Sequence, residues 1–242
     1  ERAHINDPFL GCGTTIVTAI SKGLKASGTD INKIAYLITK VKSTPIEPEY
    51  LNEKIKQILL KLQTLSVSQK TLFHNHIEPL IPQTHIDRIN YWFTEENKIK
   101  LGKILRIIYE EEDENIRDFF LVGFSHILKN CSIWLQKSTK PTRDLTKKPA
   151  EPVEAFRKHL KKMQSGNDAF YRVVPLKVRE NINKYLNIEI GDAKKQPVPD
   201  KSVDLIVTSS PYVTSYEYAD LHQLSIIWLD LANDLTEYKK QF

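Results

Sequence analysis

Apolar residues follow two kinds of pattern along the chain. Near both ends they form short runs bounded by glycine, proline or aspartate, the mark of strands buried in a parallel sheet. These runs predict strands over about 4–7, 26–30, 187–191 and 203–208. Elsewhere apolar positions recur three and four apart, which is helical spacing. Ile16, Val17 and Ile20 predict a helix from Thr14 to Lys22, and Ile34, Leu37, Ile38 and Val41 one over 31–42. Leu51, Ile55, Ile58, Leu59 and Leu62 predict a third, and Leu101, Ile104, Leu105 and Ile108 a fourth over 95–109. A more apolar helix is expected from Asn115 to Leu135, with Phe119, Phe120, Val122, Phe124, Ile127 and Leu128 as a core. Further helices are expected from near Pro152 (stripe Val153, Phe156, Leu160, Met163), over Phe170 to Leu186, and over Tyr216 to Trp228. Ser66 to Thr94 reads as irregular, docked on a core by Trp92 and Phe93.

Strands alternating with helices at both ends, and helices alone between them, give an α/β fold. The expected architecture is a partial Rossmann-like sheet of about four strands with a large helical insertion. The expected divisions are 1–45 for the first part of the sheet domain, 46–185 for the insertion and 186–242 for the second part. The chain starts almost inside its first strand and stops soon after the fourth. A fragment, or one piece of a split enzyme, is therefore expected, with the last strand an open edge.

The 242 residues, 40% hydrophobic, suffice for one sizeable core or for a core with an inserted subdomain. A net charge of +5 fits a polyanionic partner. The basic residues concentrate between Lys137 and Lys162, opposed only by Asp144, Glu151 and Glu154. Lys140, Arg143, Lys147, Lys148, Arg157 and Lys158 are the candidate contacts to a nucleic-acid backbone; the alternative is a solvated charged face. Cys12 and Cys131 make neither a disulfide framework nor a zinc pattern. The acidic run Glu110 to Glu114 reads as a solvated helix junction, so no metal site is expected. No apolar run is long enough to span a bilayer, and a reducing, cytoplasmic compartment fits.

The chemistry gathers at the two strand ends. After the first strand comes Asp7-Pro8-Phe9-Leu10-Gly11-Cys12-Gly13-Thr14-Thr15, a glycine turn leading into a helix. A strand, a glycine turn and a helix N-terminus in that order form a nucleotide-type cofactor cradle. It lacks the Gly-Lys-Ser/Thr of a phosphate-binding loop, and Ile16 stands where a dinucleotide fingerprint has glycine or alanine. Asp30 ends the second strand roughly twenty residues on, the separation that sets a carboxylate on ribose hydroxyls. An ordinary turn with a solvated Asp30 is the plain alternative.

Asp7-Pro8-Phe9-Leu10-Gly11-Cys12-Gly13-Thr14-Thr15 resembles the S-adenosylmethionine (AdoMet) motif of the amino-group DNA methyltransferases, which act on cytosine N4 or adenine N6. Val203-Asp204-Leu205-Ile206-Val207-Thr208-Ser209-Ser210-Pro211-Tyr212 resembles their catalytic strand, which ends Thr-Ser-Pro-Pro-Tyr. The resemblance covers roughly 4–42 and 186–229, and is loose between. It implies AdoMet as cofactor, held by Asp7, Phe9, Gly11, Gly13, Thr14, Asp30, Ile31, Asp192 and Ala193, with Asp192 accepting from the adenine amine. It implies Ser209, Ser210, Pro211 and Tyr212 as the catalytic loop, and DNA as substrate. Further partners it implies are a restriction endonuclease or a second polypeptide supplying the missing strands.

An exocyclic amine is a poor nucleophile because its lone pair is delocalised into the ring. Two acceptors aimed at its N–H groups, the Ser209 side chain and the Ser210 carbonyl, would pull the nitrogen toward tetrahedral geometry. Tyr212 would stack on a base that must first be flipped out of the duplex. Serine at 209, in place of Asp or Asn, leans toward cytosine N4. Ser210 departs from the family's proline, which keeps the carbonyl but loses the fixed φ. Tyr218 and His222 match a Tyr and a His of the resembling subfamily. The competing readings are a catalytically inactive AdoMet- or DNA-binding remnant and an RNA methyltransferase.

Overall fold

The computed structural model describes residues 3–67, 77–211 and 218–240. The chain opens with β1 (His4–Asp7), α1 (Thr14–Ser21), β2 (Lys25–Asp30) and α2 (Lys33–Ser43). It then runs through α3 (Pro48–Val67), α4 (Ile86–Trp92), α5 (Glu95–Tyr109), α6 (Glu114–Cys131) and α7 (Pro152–Val173). After α8 (Leu176–Arg179) come β3 (Leu186–Ile190) and β4 (Leu205–Ile206), then α9 (Tyr218–Leu221), α10 (Gln223–Trp228) and α11 (Leu235–Lys239). The residues cluster into two units, 1–48 with 165–219 and 240–242, and 49–164 with 220–239.

The first unit is built on a parallel sheet of order β3-β2-β1-β4, a partial Rossmann-like α/β fold. Ile5 pairs in register with Ala26 and Leu205, and Gly28 with Asp7 and Ile188. One face is apolar: Ile5 and Ala26 pack with Ile16, Ala19 and Ile20 of α1 and with Val174 and Val178. Side chains alternate across a strand, so Asn6, Ser27 and Thr29 lie on the other face, and all three are buried. They satisfy each other there. Ser27 Oγ donates to Asn6 Oδ1 at 2.7 Å, Asn6 Nδ2 to Gln196 Oε1 at 3.1 Å, and Gln196 Nε2 to Thr29 Oγ1 at 2.9 Å. β4 lies at the edge, with Leu205, Ile206 and Val207 exposed. It pairs over two residues, not the six of 203–208, because only Leu205 and Ile206 face β1 in register.

The second unit is helical. Its aromatic core stacks Trp92 on Trp134 at 5.2 Å, and sets Phe93 and Phe124 edge-on to Trp228 at 5.5 and 5.7 Å. Side chains cap its helices: Thr94 accepts from the Asn97 amide, and Asp113 from the amides of Asn115 and Ile116. The acidic junction is paired, Glu111 with Lys54 and Glu110 with Lys61, and the described residues hold no cluster suited to a metal. Residues 220–239 belong to this unit, and Leu224, Ile227 and Trp228 are buried in it.

Other expected elements differ as well. α6 stops at Cys131, short of Leu135, because the Ile133 amide bonds to the Trp92 carbonyl and Trp134 bridges to Arg143 in a hairpin. α7 runs on to Val173, so no helix spans Phe170 to Leu186; Pro175 has no amide to extend the ladder, and α8 and a 3-10 turn follow. The supposedly irregular Ser66–Thr94 stretch contains α4, whose Ile89 and Trp92 are fully buried.

Candidate active site

The first unit's site is the carboxyl edge of the sheet. Asp7 ends β1 and is 4% exposed. Its Oδ1 accepts from the Phe9 amide at 3.2 Å and from the Thr208 hydroxyl at 2.8 Å. The chain then turns through Gly11 and Gly13, with φ of +52° and +79°. These are left-handed conformations that a side chain disfavours. Gly13 has a second reason to lack a side chain: a Cβ there would lie 2.7 Å from the Thr39 hydroxyl of α2. Gly11 is exposed, and a Cβ there would meet the Phe9 carbonyl oxygen at an ordinary 3.9 Å.

Asp30, at the end of β2, holds this loop. Its Oδ2 accepts from the Gly11 amide and its Oδ1 from the Asn32 amide, each at 2.8 Å. Burial pushes its carboxyl above the usual range, against the pull of those two amides. The Leu10 amide donates to the Thr29 carbonyl at 3.0 Å, and the Lys42 ammonium to the Cys12 carbonyl at 2.6 Å. A hydrogen bond with the Thr14 hydroxyl holds the exposed Cys12 thiol below its usual range. No side chain caps α1 at Gly13, and no acid lies in its first turn. Its first amides are therefore open to an electron-rich ligand.

At the end of β3, the Gly191 amide donates to the Asp30 carbonyl at 3.0 Å, which fixes the exit turn beside β2. The exposed Asp192 turns one oxygen onto the Lys194 amide at 2.9 Å, and Gln196 donates to the Ala193 carbonyl at 2.8 Å. Phe9, Ile31 and Ala193 are half-buried and Thr14 is exposed. Sequence reasoning missed Thr39, Thr208 and Gln196. Thr208 had a signal, being the first residue of the Thr-Ser-Ser-Pro-Tyr run; Gln196 had none.

β4 enters this edge beside β1. The Val207 amide donates to the Asn6 carbonyl at 3.0 Å, and the Thr15 hydroxyl to the Val207 carbonyl at 3.3 Å. Ser209, Ser210 and Pro211 follow, exposed and without a hydrogen bond among the described residues. Tyr212 lies outside the described residues, as does the side chain of Tyr218. His222 belongs to the helical unit, where burial lowers its imidazole pKa.

Three comparisons complete the picture. No protein-family model and no solved structure matches the chain. Three curated proteins do. The Type II methyltransferase M.MvaI of Kocuria varians is 32% identical over 97% of this chain and 52% of its own length. The chain is thus similar to a Type II methyltransferase along nearly its whole length. M.BsoBI of Geobacillus stearothermophilus is 25% identical over 93% of the chain, and M.MjaII of Methanocaldococcus jannaschii 24% over 94%. The chain spans about half the length of these Type II methyltransferases: 52%, 47% and 57%.

The helical unit carries the basic candidates, and they are not alike. Lys147 is turned inward, donating to the carbonyls of Lys129 at 2.8 Å and Trp134 at 2.7 Å. Burial lowers its pKa, and it serves to close the end of α6. Arg157 and Lys158 both pair with Glu154. Arg143 lies over the exposed Tyr91 ring at 4.2 Å, and Arg88 lies 5.5 Å from the same ring. Lys140 and Lys148 have no side-chain partner among the described residues. No described helix is long and apolar enough to cross a membrane.

Proposed function

We propose that this chain carries the cofactor cradle and catalytic loop of an AdoMet-dependent DNA amino-methyltransferase of a restriction–modification system, working in the cytoplasm. The carrying observation is that the glycine loop and the Thr208-Ser209-Ser210-Pro211 segment leave neighbouring parallel strands at the same sheet edge, joined by the 2.8 Å bond between Thr208 and Asp7. Open α/β sheets bind their ligands at that edge.

The residues suit the cofactor. The uncapped start of α1 leaves its first backbone amides open to a carboxylate, while the amides of Gly11 and Gly13 are held by Asp30 and by the Leu10 carbonyl. Asp30 keeps lone pairs for ribose hydroxyls, and Asp192 keeps one oxygen for the adenine amine. Phe9, Ile31 and Ala193 supply apolar surface. AdoMet, when bound, supplies an electrophilic methyl group on a sulfonium.

On the substrate side, the Ser209 hydroxyl and Ser210 carbonyl accept from the target amine and free its lone pair. No covalent intermediate forms, since positioned acceptors suffice. Tyr212 stacks on the flipped base. Serine at 209 favours cytosine N4 over adenine N6. Lys140 and Lys148 are the basic side chains without a partner among the described residues and are offered to DNA phosphates together with Arg143, which lies over Tyr91, while Arg157 and Lys158 are shared with Glu154. A restriction endonuclease of the same specificity, or a second polypeptide completing the sheet, is the further partner.

The test is transfer of a labelled methyl group from AdoMet to unmethylated genomic DNA, followed by nucleoside analysis. Label in N4-methylcytosine is expected. Label in N6-methyladenine overturns the choice of base alone. AdoMet binding without any transfer favours a second reading, an inactive remnant, which Ser210 in place of proline supports.

A further inference from the structure

Within the cofactor set, one carboxylate ties the glycine loop to the catalytic strand. Asp7 Oδ1 receives two donors, the Phe9 amide of the glycine loop and the Thr208 hydroxyl of the catalytic strand. The carboxylate is buried, and hydrogen bonds to a charged acceptor are about twice as strong as neutral ones. We propose that the Asp7–Thr208 bond is the positioning device of the catalytic loop, fixing where Ser209 stands relative to the cofactor cradle. This rests on the methyltransferase reading for its effect on transfer, but not for its structural content.

The argument is one of anchorage. The glycine loop has ties of its own: Gly11 to Asp30, Leu10 to Thr29, and Thr39 Oγ1 to the Gly11 carbonyl at 3.4 Å. β4 has few. It pairs over two residues, its side chains are exposed, and its last backbone tie is the Val207 amide to Asn6. Thr208 is the last residue before Ser209 with a hydrogen bond among the described residues. Without its hydroxyl, the segment from Thr208 onward has no side-chain tie of its own and hangs from an edge strand whose nearest one is the 3.3 Å bond from the Thr15 hydroxyl to the Val207 carbonyl. Valine keeps the shape and strand preference of threonine but cannot donate. The substitution therefore removes the bond and little else.

Hydrogen–deuterium exchange on the full chain reads this without catalysis. In Thr208→Val, exchange over 204–211 should rise about tenfold, the weight of one charge-assisted bond, while exchange over 9–15 stays as in the parent. Thr208→Ser should restore protection. In the transfer assay, Thr208→Val should lower kcat about tenfold with KM for AdoMet within about twofold, and Thr208→Ser should recover kcat. Unchanged exchange over 204–211, an equal rise over 9–15, or failure of serine to restore it overturns the proposal. A parent chain that transfers no methyl group overturns the methyltransferase reading instead, and the exchange result still decides this one.

Discussion

The Gly11 amide points at the Asp30 carboxylate across 2.8 Å, so the acid that ends β2 shapes the loop that ends β1. The two are 19 residues apart in sequence, and each alone is an ordinary turn residue. Removing the carboxylate should cost AdoMet binding twice, through the loop and through the ribose hydroxyls. Asp30→Ala is expected to weaken AdoMet binding by about tenfold to a hundredfold, in line with two lost hydrogen bonds to a charged group. Isothermal titration of the purified chain measures it. An unchanged affinity removes the assigned cofactor geometry.

Ser209→Ala should behave oppositely. The Ser209 side chain touches no other described residue through a hydrogen bond, so its loss should leave folding and AdoMet affinity alone. Loss of an acceptor aimed at the reacting amine should lower transfer by about a hundredfold or more. Titration and labelled transfer on the same preparation check both halves.

Two glycines predict opposite signs of stability change. A Cβ on Gly28 would stand 2.1 Å from the Asp7 carbonyl oxygen and 2.7 Å from Leu10 Cδ2. Neither backbone nor core can yield that much, so Gly28→Ala should cost about 3 kcal/mol or more, or prevent folding. Gly166 lies within α7 with nothing within 4 Å of its missing Cβ. Gly166→Ala should add about 0.5–1 kcal/mol through helix propensity. Denaturant titration of both variants tests the pair.

His126 of α6 and His159 of α7 stack face to face, with centroids 3.7 Å apart and planes 4° from parallel. Burial, then the charges of His126 and Lys162, hold His159 down at about 4, and burial and Lys162 lower His126. A depressed imidazole contributes stability above its unfolded pKa, and that stability is lost as pH falls through the folded one. The window is therefore about pH 6.5 down to 4. Both rings are part-exposed, so with solvent screening the loss is on the order of 1 kcal/mol. The melting temperature should fall by about 2–4 °C from pH 7 to pH 5 through this pair. His159→Phe should flatten that part of the profile.

Among the basic candidates, Lys147→Ala should lower stability and leave the salt dependence of DNA binding unchanged, because its ammonium is spent on two carbonyls. Lys140→Ala should leave stability alone and reduce the salt slope by about one. Binding isotherms at several salt concentrations, beside thermal melts, separate the two roles.

Much of the sheet unit was legible in the sequence, because its signals are local. The strands carry short apolar runs, and Gly11 and Gly13 mark a turn that side chains cannot make. Asp30 closes the second strand, as an acid at the end of that run indicates. What the sequence hid depends on distant partners. Lys147 looks like any lysine of a basic run, and only the carbonyls left open at the end of α6 turn it inward. The true end of α6 depends on Trp92 and Arg143, which pull 133–135 into a hairpin. α4 was hidden by a short, weakly periodic sequence that its neighbours complete. Thr208 and Asp7 are 201 residues apart, and nothing near either one announces their bond.

The composition of the helical unit carries a consequence for descent. Residues 49–164 and 220–239 are one body, although β3 and β4 come between them in sequence. Ser125 bonds Ser225 at 2.6 Å, and His85 bonds the Ala232 carbonyl at 2.5 Å. A recombination that swapped only the first segment between two relatives would orphan both contacts and leave Trp228 against foreign side chains. The two segments must be inherited as a pair, and chimaeras that respect this should breed true where single-segment swaps fail.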